Sequence, residues 1–182
     1  MMFGLMAISA RFAPWFLGTD FELAGHIMFL ESPIIVLIAW SNVTGTQYLM
    51  PVNRVKEYTT SVTIGAVSNV IFNLFLIEGW GANGAAVATV CSEFLVTASQ
   101  IAMIRGTIKR RKLFREQWKY FLCGFLMYLV VNRICLIINM TVANLCLEVV
   151  VGMIVYFLGL LLTKASILTE AGKLIKDKVA HK

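Results

Sequence analysis

Charged side chains are scarce in this chain. Only 14% of its 182 residues are Asp, Glu, Lys or Arg, whereas 59% are hydrophobic. A soluble domain carries roughly 25% charged residues, so there is too little charge here to coat a surface facing water. Proline is rare as well, with three residues, which leaves long stretches free to run as unbroken helices. Histidine occurs only as His26 and His181, too far apart and too different in context to suggest a ligand pair. The four cysteines, Cys91, Cys123, Cys135 and Cys146, form no Cys-x-x-Cys and all lie within apolar runs. They read as small buried hydrophobes, with no disulfide or metal site expected. No serine, histidine and carboxylate can be assembled into a triad, and no Gly-Lys-Ser/Thr follows a strand as a phosphate loop requires. No catalytic residue and no cofactor are therefore expected, and the chain does not read as an enzyme. A positive leader before the first apolar run is also missing, because Arg11 falls inside that run, so no cleavable signal peptide is expected.

What the chain has is length in its apolar runs. They cover residues 1–17, 27–50, 58–78, 82–104, 120–139 and 144–162. About 20 such residues cross the hydrocarbon core as a helix. None of the runs alternates apolar with polar, and each is too long for a typical strand. The expected fold is all-α, a polytopic transmembrane bundle of about six helices. The mean hydropathy of +0.79 agrees.

The net charge of +6 does not point to nucleic acid. Basic residues sit in short blocks between apolar runs, with no aromatic platform for stacking bases. Residues 18–26, 79–81 and 140–143 contain no Lys or Arg. Residues 51–57 contain Arg54 and Lys56, and residues 105–119 contain Arg105, Lys109, Arg110, Arg111, Lys112, Arg115 and Lys119. The tail, 163–182, carries Lys164, Lys173, Lys176, Lys178 and Lys182. Basic and non-basic loops alternate, as six spans with both ends cytoplasmic require. Residues 105–119 and the tail both suit basic amphipathic helices on the cytoplasmic leaflet, although 105–119 suits a solvated linker equally.

Ionisable groups inside the runs are costly and should face protein or water. Arg11 and Glu31 fall at similar depth if the second helix begins near residue 27. Arg133 and Glu148 do the same across the turn at 140–143. Each pair could neutralise itself within a helical hairpin, or its arginine could face a cavity and bind an anionic head group. Glu93 sits mid-span, on one helical face with Thr89, Thr97 and Gln100. Such a stripe lines either a wet path or a helix contact. Gly65, Asn69 and Asn73 share a face of the third span, suited to close packing or to sugar hydroxyls. Pro33 removes a backbone hydrogen bond inside the second span and predicts a kink near Phe29.

One stretch is more specific. It reads Gly45-Thr46-Gln47-Tyr48-Leu49-Met50-Pro51, then Lys56-Glu57-Tyr58, then Gly65-Ala66-Val67-Ser68-Asn69-Val70-Ile71-Phe72-Asn73. It continues Gly81-Ala82-Asn83-Gly84-Ala85-Ala86-Val87-Ala88-Thr89-Val90, with Ser92-Glu93 and Gln100 following. With Phe12-Ala13-Pro14-Trp15-Phe16-Leu17-Gly18 and Phe21, this resembles the Wzx-type polysaccharide flippases of the multidrug/oligosaccharidyl-lipid/polysaccharide exporter superfamily. The likeness covers residues 4–104; the last two spans fit only by length and placement.

The resemblance implies a MATE-like architecture of two helical lobes around a central cavity. This chain would supply four helices of the second lobe (1–104), a basic cytoplasmic loop (105–119), two additional C-terminal helices (120–162) and a basic tail (163–182). The first lobe has no counterpart in the sequence, so a truncated or split product is expected. The implied function is flipping of undecaprenyl-diphosphate-linked oligosaccharide across the bacterial cytoplasmic membrane for polysaccharide biosynthesis. The implied partners are the bilayer, the lipid-linked oligosaccharide, a polysaccharide polymerase and glycosyltransferases. On physical grounds Arg11 and Arg133 would counter the diphosphate. Asn69, Asn73, Glu93 and Gln100 would line the sugar path. Two other readings stand beside this one: a drug or ion-coupled exporter of the same superfamily, and a non-transporting membrane scaffold for polysaccharide assembly.

Overall fold

The computed structural model describes residues 1–105 and 116–163. Among these residues every regular element is helical. They are α1 (Met2–Leu17), a 3-10 turn (Thr19–Phe21), α2 (Glu22–Glu31), α3 (Ile34–Ser41), a π-helix (Asn42–Leu49), α4 (Val55–Met103), α5 (Gln117–Ile137) and α6 (Val142–Leu162). Four helical stretches are long and apolar enough to cross a membrane: Thr19–Leu49, Val55–Met103, Gln117–Ile137 and Val142–Leu162. Helix α1 is shorter, at 16 residues. Most of the basic loop and the whole charged part of the tail lie outside the described residues, and with them both amphipathic segments expected there. Trp118 and Lys119 are described, and they lie in the first turn of α5 rather than in a loop.

The chain forms two compact units, Met1–Lys109 and Arg110–Lys182. In the first, α4 is not one rod. Gly81 has φ 55° and ψ −131°, outside the helical region, and separates a limb at 55–80 from a limb at 82–103. Gln100 meets Ser61, Val96 meets Gly65, and Ser92 meets Asn69. The residue numbers in each of these pairs add to 161, so the two limbs run antiparallel as a hairpin. A Cβ on Gly84 would strike the backbone carbonyl of Leu76, and one on Gly65 would strike Val96. Glycine at these two positions lets the limbs touch, which is how small residues bring helices together where no water drives association.

The same rule joins α1 to α2. A Cβ on Gly25 would lie 2.9 Å from the Ser9 carbonyl and 3.1 Å from Ala10 Cα. Ala7, Ser9 and Ala13 are the buried residues of α1. Across the unit most buried side chains are small or polar, Leu49, Val96 and Ile104 excepted, and many large apolar ones are outside: Ala88 and Ser61 are fully buried, while Leu74 and Phe75 are 71% and 76% exposed. A water-soluble domain inverts that order. The surface is built for lipid, and the chain is a helical membrane protein.

The second unit is the hairpin of α5 and α6. Gly159 packs on Cys123 and Gly152 packs on Val131 and Met127, so these helices also run antiparallel. Their turn is tied by the Asn144 amide, which donates to the Asn139 carbonyl at 2.8 Å.

The proline in the second span behaves as its chemistry dictates. Helices α2 and α3 flank Ser32 and Pro33, both of which keep right-handed helical angles. Pro33 has no N–H for the Phe29 carbonyl. The buried Ser32 hydroxyl donates to that carbonyl instead, at 2.8 Å. The interruption is thus satisfied from within the chain.

Candidate functional site

The polar residues of the first unit gather on two levels of the α4 hairpin. At the lower level Gln100 is fully buried and joins three segments. Its Nε2 donates to Ser61 Oγ at 3.1 Å on the first limb. Its Oε1 lies 2.7 Å from the Thr44 hydroxyl on the π-helix. The Thr44 proton has a second acceptor, the Trp40 carbonyl at 2.9 Å. Ser61 in turn donates to the Tyr58 carbonyl at 2.7 Å. Gly45 makes the approach feasible, since a Cβ there would come within 2.8 Å of the Tyr58 ring and 3.0 Å of Gln100 Nε2. One turn up, the Thr97 hydroxyl donates to the Leu37 carbonyl of α3 at 3.1 Å. In this lower half the stripe through Thr97 and Gln100 is a helix contact.

At the upper level, midway along the hairpin, Asn69 Nδ2 donates to Ser92 Oγ at 3.0 Å. Ser92 donates to the Thr89 carbonyl at 2.8 Å. Asn73 Nδ2 donates to the backbone carbonyl and side-chain oxygen of Asn69, at 2.8 and 3.0 Å. Glu93 follows Ser92 and is half-buried, as are Asn69 and Asn73. Thr97 meets Leu37 and Gln100 meets Thr44, so α3 and the second limb run parallel here. Glu93 is one turn before Thr97, and Pro33 is one turn before Leu37. The carboxylate therefore sits level with the proline interruption. Asn69, Asn73 and Glu93, partly exposed around the buried Ser92, form a polar layer at mid-span, and this layer is the candidate site.

The two arginine–glutamate pairs expected from the sequence do not come together. Helix α2 begins at Glu22, not near residue 27, so Glu31 is the last residue of α2 rather than a residue of its first turns. Gly25 faces Ser9 and Ala10, which puts Arg11 level with residues 23 and 24 and Glu31 level with residues 3 and 4. The two are thus about 11 Å apart along the helix axis at 1.5 Å per residue. The second pair fails for a different reason. The register of α5 and α6 puts Glu148 level with Cys135, two residues from Arg133. Depth matches, but two residues are about 200° around a helix. Cys135 and Glu148 are buried, whereas Arg133 is exposed. Of the candidate cavity residues, Asn69, Asn73 and Glu93 share the mid-span layer. Gln100 belongs to the closed lower contact, Arg11 to α1, and Arg133 to the second unit.

Four contributors escape a reading of the chain by residue type. Ser61 is one of them, although it extends the four-residue spacing of Gly65, Asn69 and Asn73 by one more turn. Thr44 and Gly45 carry no periodic signal, because a π-helix does not follow the 3.6-residue repeat. Arg54 is the fourth. Its Nη2 donates to the Met103 carbonyl at 3.1 Å and its Nε to Glu57 at 2.9 Å, closing the open end of the hairpin.

No protein-family model, curated protein or solved structure matches this chain.

Proposed function

We propose that this chain is a component of a membrane transporter that passes a lipid-linked oligosaccharide across the bacterial cytoplasmic membrane. The observation that carries the reading is the mid-span layer of Asn69, Asn73 and Glu93, partly exposed around the buried Ser92 on a hairpin whose outer faces are apolar. Polar groups at that depth are costly unless they face protein, water or a polar ligand. Carboxamides both donate and accept, which matches the two-way hydrogen bonding of sugar hydroxyls. The lipid tail would stay in the bilayer beside the exposed apolar faces. The likeness of residues 4–104 to polysaccharide flippases supports the same substrate class.

In this reading the chain crosses the membrane six times, with both ends cytoplasmic. The placement of loop cations in the first unit supports it. Asp20, Glu22 and Glu78 lie near the α1–α2 turn and the closed end of the α4 hairpin, while Arg54, Lys56 and Arg105 lie at the other end. Exposed Trp15, Phe16, Phe21 and Trp80 mark the acidic end, as an interfacial aromatic belt would. A second reading, a non-transporting scaffold, draws on the Gln100 contact, whose hydrogen bonds close within the unit.

The test is binding of radiolabelled undecaprenyl-diphosphate oligosaccharide to the full chain in lipid nanodiscs. The transport reading expects saturable binding that Asn73→Leu or Glu93→Leu weakens about tenfold, as loss of a hydrogen bond worth 1–1.5 kcal/mol would. Binding that is absent, or indifferent to both substitutions, favours the scaffold.

A further inference from the structure

Helix α3, eight residues long, has a break in the α-helical ladder at each end. At the upper end Pro33 lacks an N–H, and the bonds tighten. The Ile35 amide donates to the Ser32 carbonyl at 3.2 Å and the Val36 amide to the Pro33 carbonyl at 3.0 Å. At the lower end the π-helix takes over, where the Met50 amide reaches five residues back to the Gly45 carbonyl at 3.1 Å. Prolines and π-turns are among the few places where a helix bends sharply. Each break also carries its own hydroxyl. Ser32 donates to the Phe29 carbonyl, and Thr44 lies within reach of the Trp40 carbonyl. The backbone therefore keeps a donor at both breaks while the angle between the segments changes.

The attachments of α3 are of two kinds. Its lower end is pinned, because the buried Gln100 oxygen takes its hydrogen bond from Thr44. Its upper part is tied to the second limb by the Thr97 hydroxyl, which donates to the Leu37 carbonyl at 3.1 Å. That tie has an alternative. Thr60, Thr63 and Thr89 each donate to the carbonyl four residues back on their own helix, at 2.8, 2.9 and 2.9 Å. The same turn of the side chain gives Thr97 the Glu93 carbonyl. Release of Leu37 thus exchanges one hydrogen bond for another. Against the described residues none of the α3 side chains is buried, so little packing opposes the release. The two limbs of α4, by contrast, are locked by the contacts at Gly65 and Gly84.

We propose that α3 is a hinged strap that pivots on the π-helix, with Thr97 as its latch. Pro33, at the free end, lies level with Glu93, so the swing opens and closes the space beside the mid-span polar layer. A gating role for the swing rests on that layer being a substrate site; the swing itself does not.

Distances between pairs of nitroxide labels test it. In a cysteine-free background of the full chain in lipid nanodiscs, labels on cysteines at Ile35 and Val67 report α3 against the first limb. Labels at Val67 and Phe94 report the locked hairpin and serve as the control. All three residues are exposed. The Ile35–Val67 distances are expected to spread more widely than the control, into a latched and a displaced population. Thr97→Val should enlarge the displaced population about fivefold, as loss of one hydrogen bond would. Thr97→Ser, which keeps the hydroxyl, should not. A single Ile35–Val67 distance as narrow as the control overturns the proposal, and so does a spread that Thr97→Val leaves unchanged. The comparison of the two label pairs keeps Thr97, so it decides even if Thr97→Val fails to fold. No ligand takes part, so a rigid α3 would leave the lipid-linked sugar reading standing. Failure of that lipid to bind would leave the motion intact.

Discussion

The Gln100 side chain donates to the hydroxyl of Ser61 at 3.1 Å, across 39 residues of sequence. With the Gly65–Val96 contact and the Arg54 bond to the Met103 carbonyl, this bond fixes the register of the α4 hairpin at its open half. It also allows an unequal mutational prediction. Replacing Gln100 with Leu leaves no orphaned group, because Thr44 can donate to the Trp40 carbonyl and Ser61 already donates to that of Tyr58. Replacing Thr44 with Val leaves the buried Gln100 oxygen without its donor, which costs about 1–3 kcal/mol. Thermal unfolding in detergent should therefore rank Thr44→Val below Gln100→Leu. The reverse order would show that Gln100 contributes mainly by packing.

Gly81 tests the fold of the hairpin by a different route. A Cβ there would touch nothing within 4 Å, so space is not the obstacle. The obstacle is φ 55° with ψ −131°, a conformation that residues with a side chain avoid. Gly81→Ala should cost about 1–3 kcal/mol. Gly81→Asn should not recover the loss, since asparagine tolerates the left-handed helical region but not this ψ. Unfolding temperatures of the two variants decide the point.

Gly84 and Gly65 fail by collision instead. Alanine at Gly84 meets a backbone carbonyl, which cannot rotate away, whereas alanine at Gly65 meets a methyl of the Val96 side chain. Gly65→Ala should be rescued in part by Val96→Ala. Gly84→Ala has no such partner and should remain destabilised in any side-chain background. A double-mutant cycle on 65 and 96 measures the coupling.

Sidedness is open to chemical labelling. In a background without cysteine, single cysteines at Asp20 and Glu78 should react with a membrane-impermeant maleimide on intact cells. Cysteines at Lys56 and Arg105 should react only after permeabilisation. Equal labelling of all four on intact cells would remove the six-span arrangement.

Arg54 should behave as a modest clamp. Its ion pair with Glu57 joins side chains that are 31% and 35% exposed, so solvent screens the pair and it contributes little by itself. The bond to the Met103 carbonyl is the part that spans the hairpin. Arg54→Lys keeps the charge but gives up the guanidinium's simultaneous bonds to both groups. It should lower the unfolding temperature nearly as far as Arg54→Gln.

Much of this protein is legible in one dimension. Apolar runs, scarce charge and alternating basic loops announce helices for a bilayer, because the hydrophobic requirement acts on each segment independently of its neighbours. The interruption of the helix at Ser32 and Pro33 follows from a missing N–H, and the Gly65-Asn69-Asn73 face from helical spacing. Hydropathy started the second helix at residue 27, but the backbone is helical from Glu22, since a helix end follows hydrogen bonding and not apolar content. Angle around the axis was beyond reach for Arg133 and Glu148. Whether a side chain faces its neighbour depends on which stripes two helices press together, and Gly152 and Gly159 settled that for α5 and α6. Composition and spacing determined the solvent, the helices and the polar stripes. Only tertiary packing decided which polar groups meet, because register and rotation are properties of a pair of helices and are encoded in neither one alone.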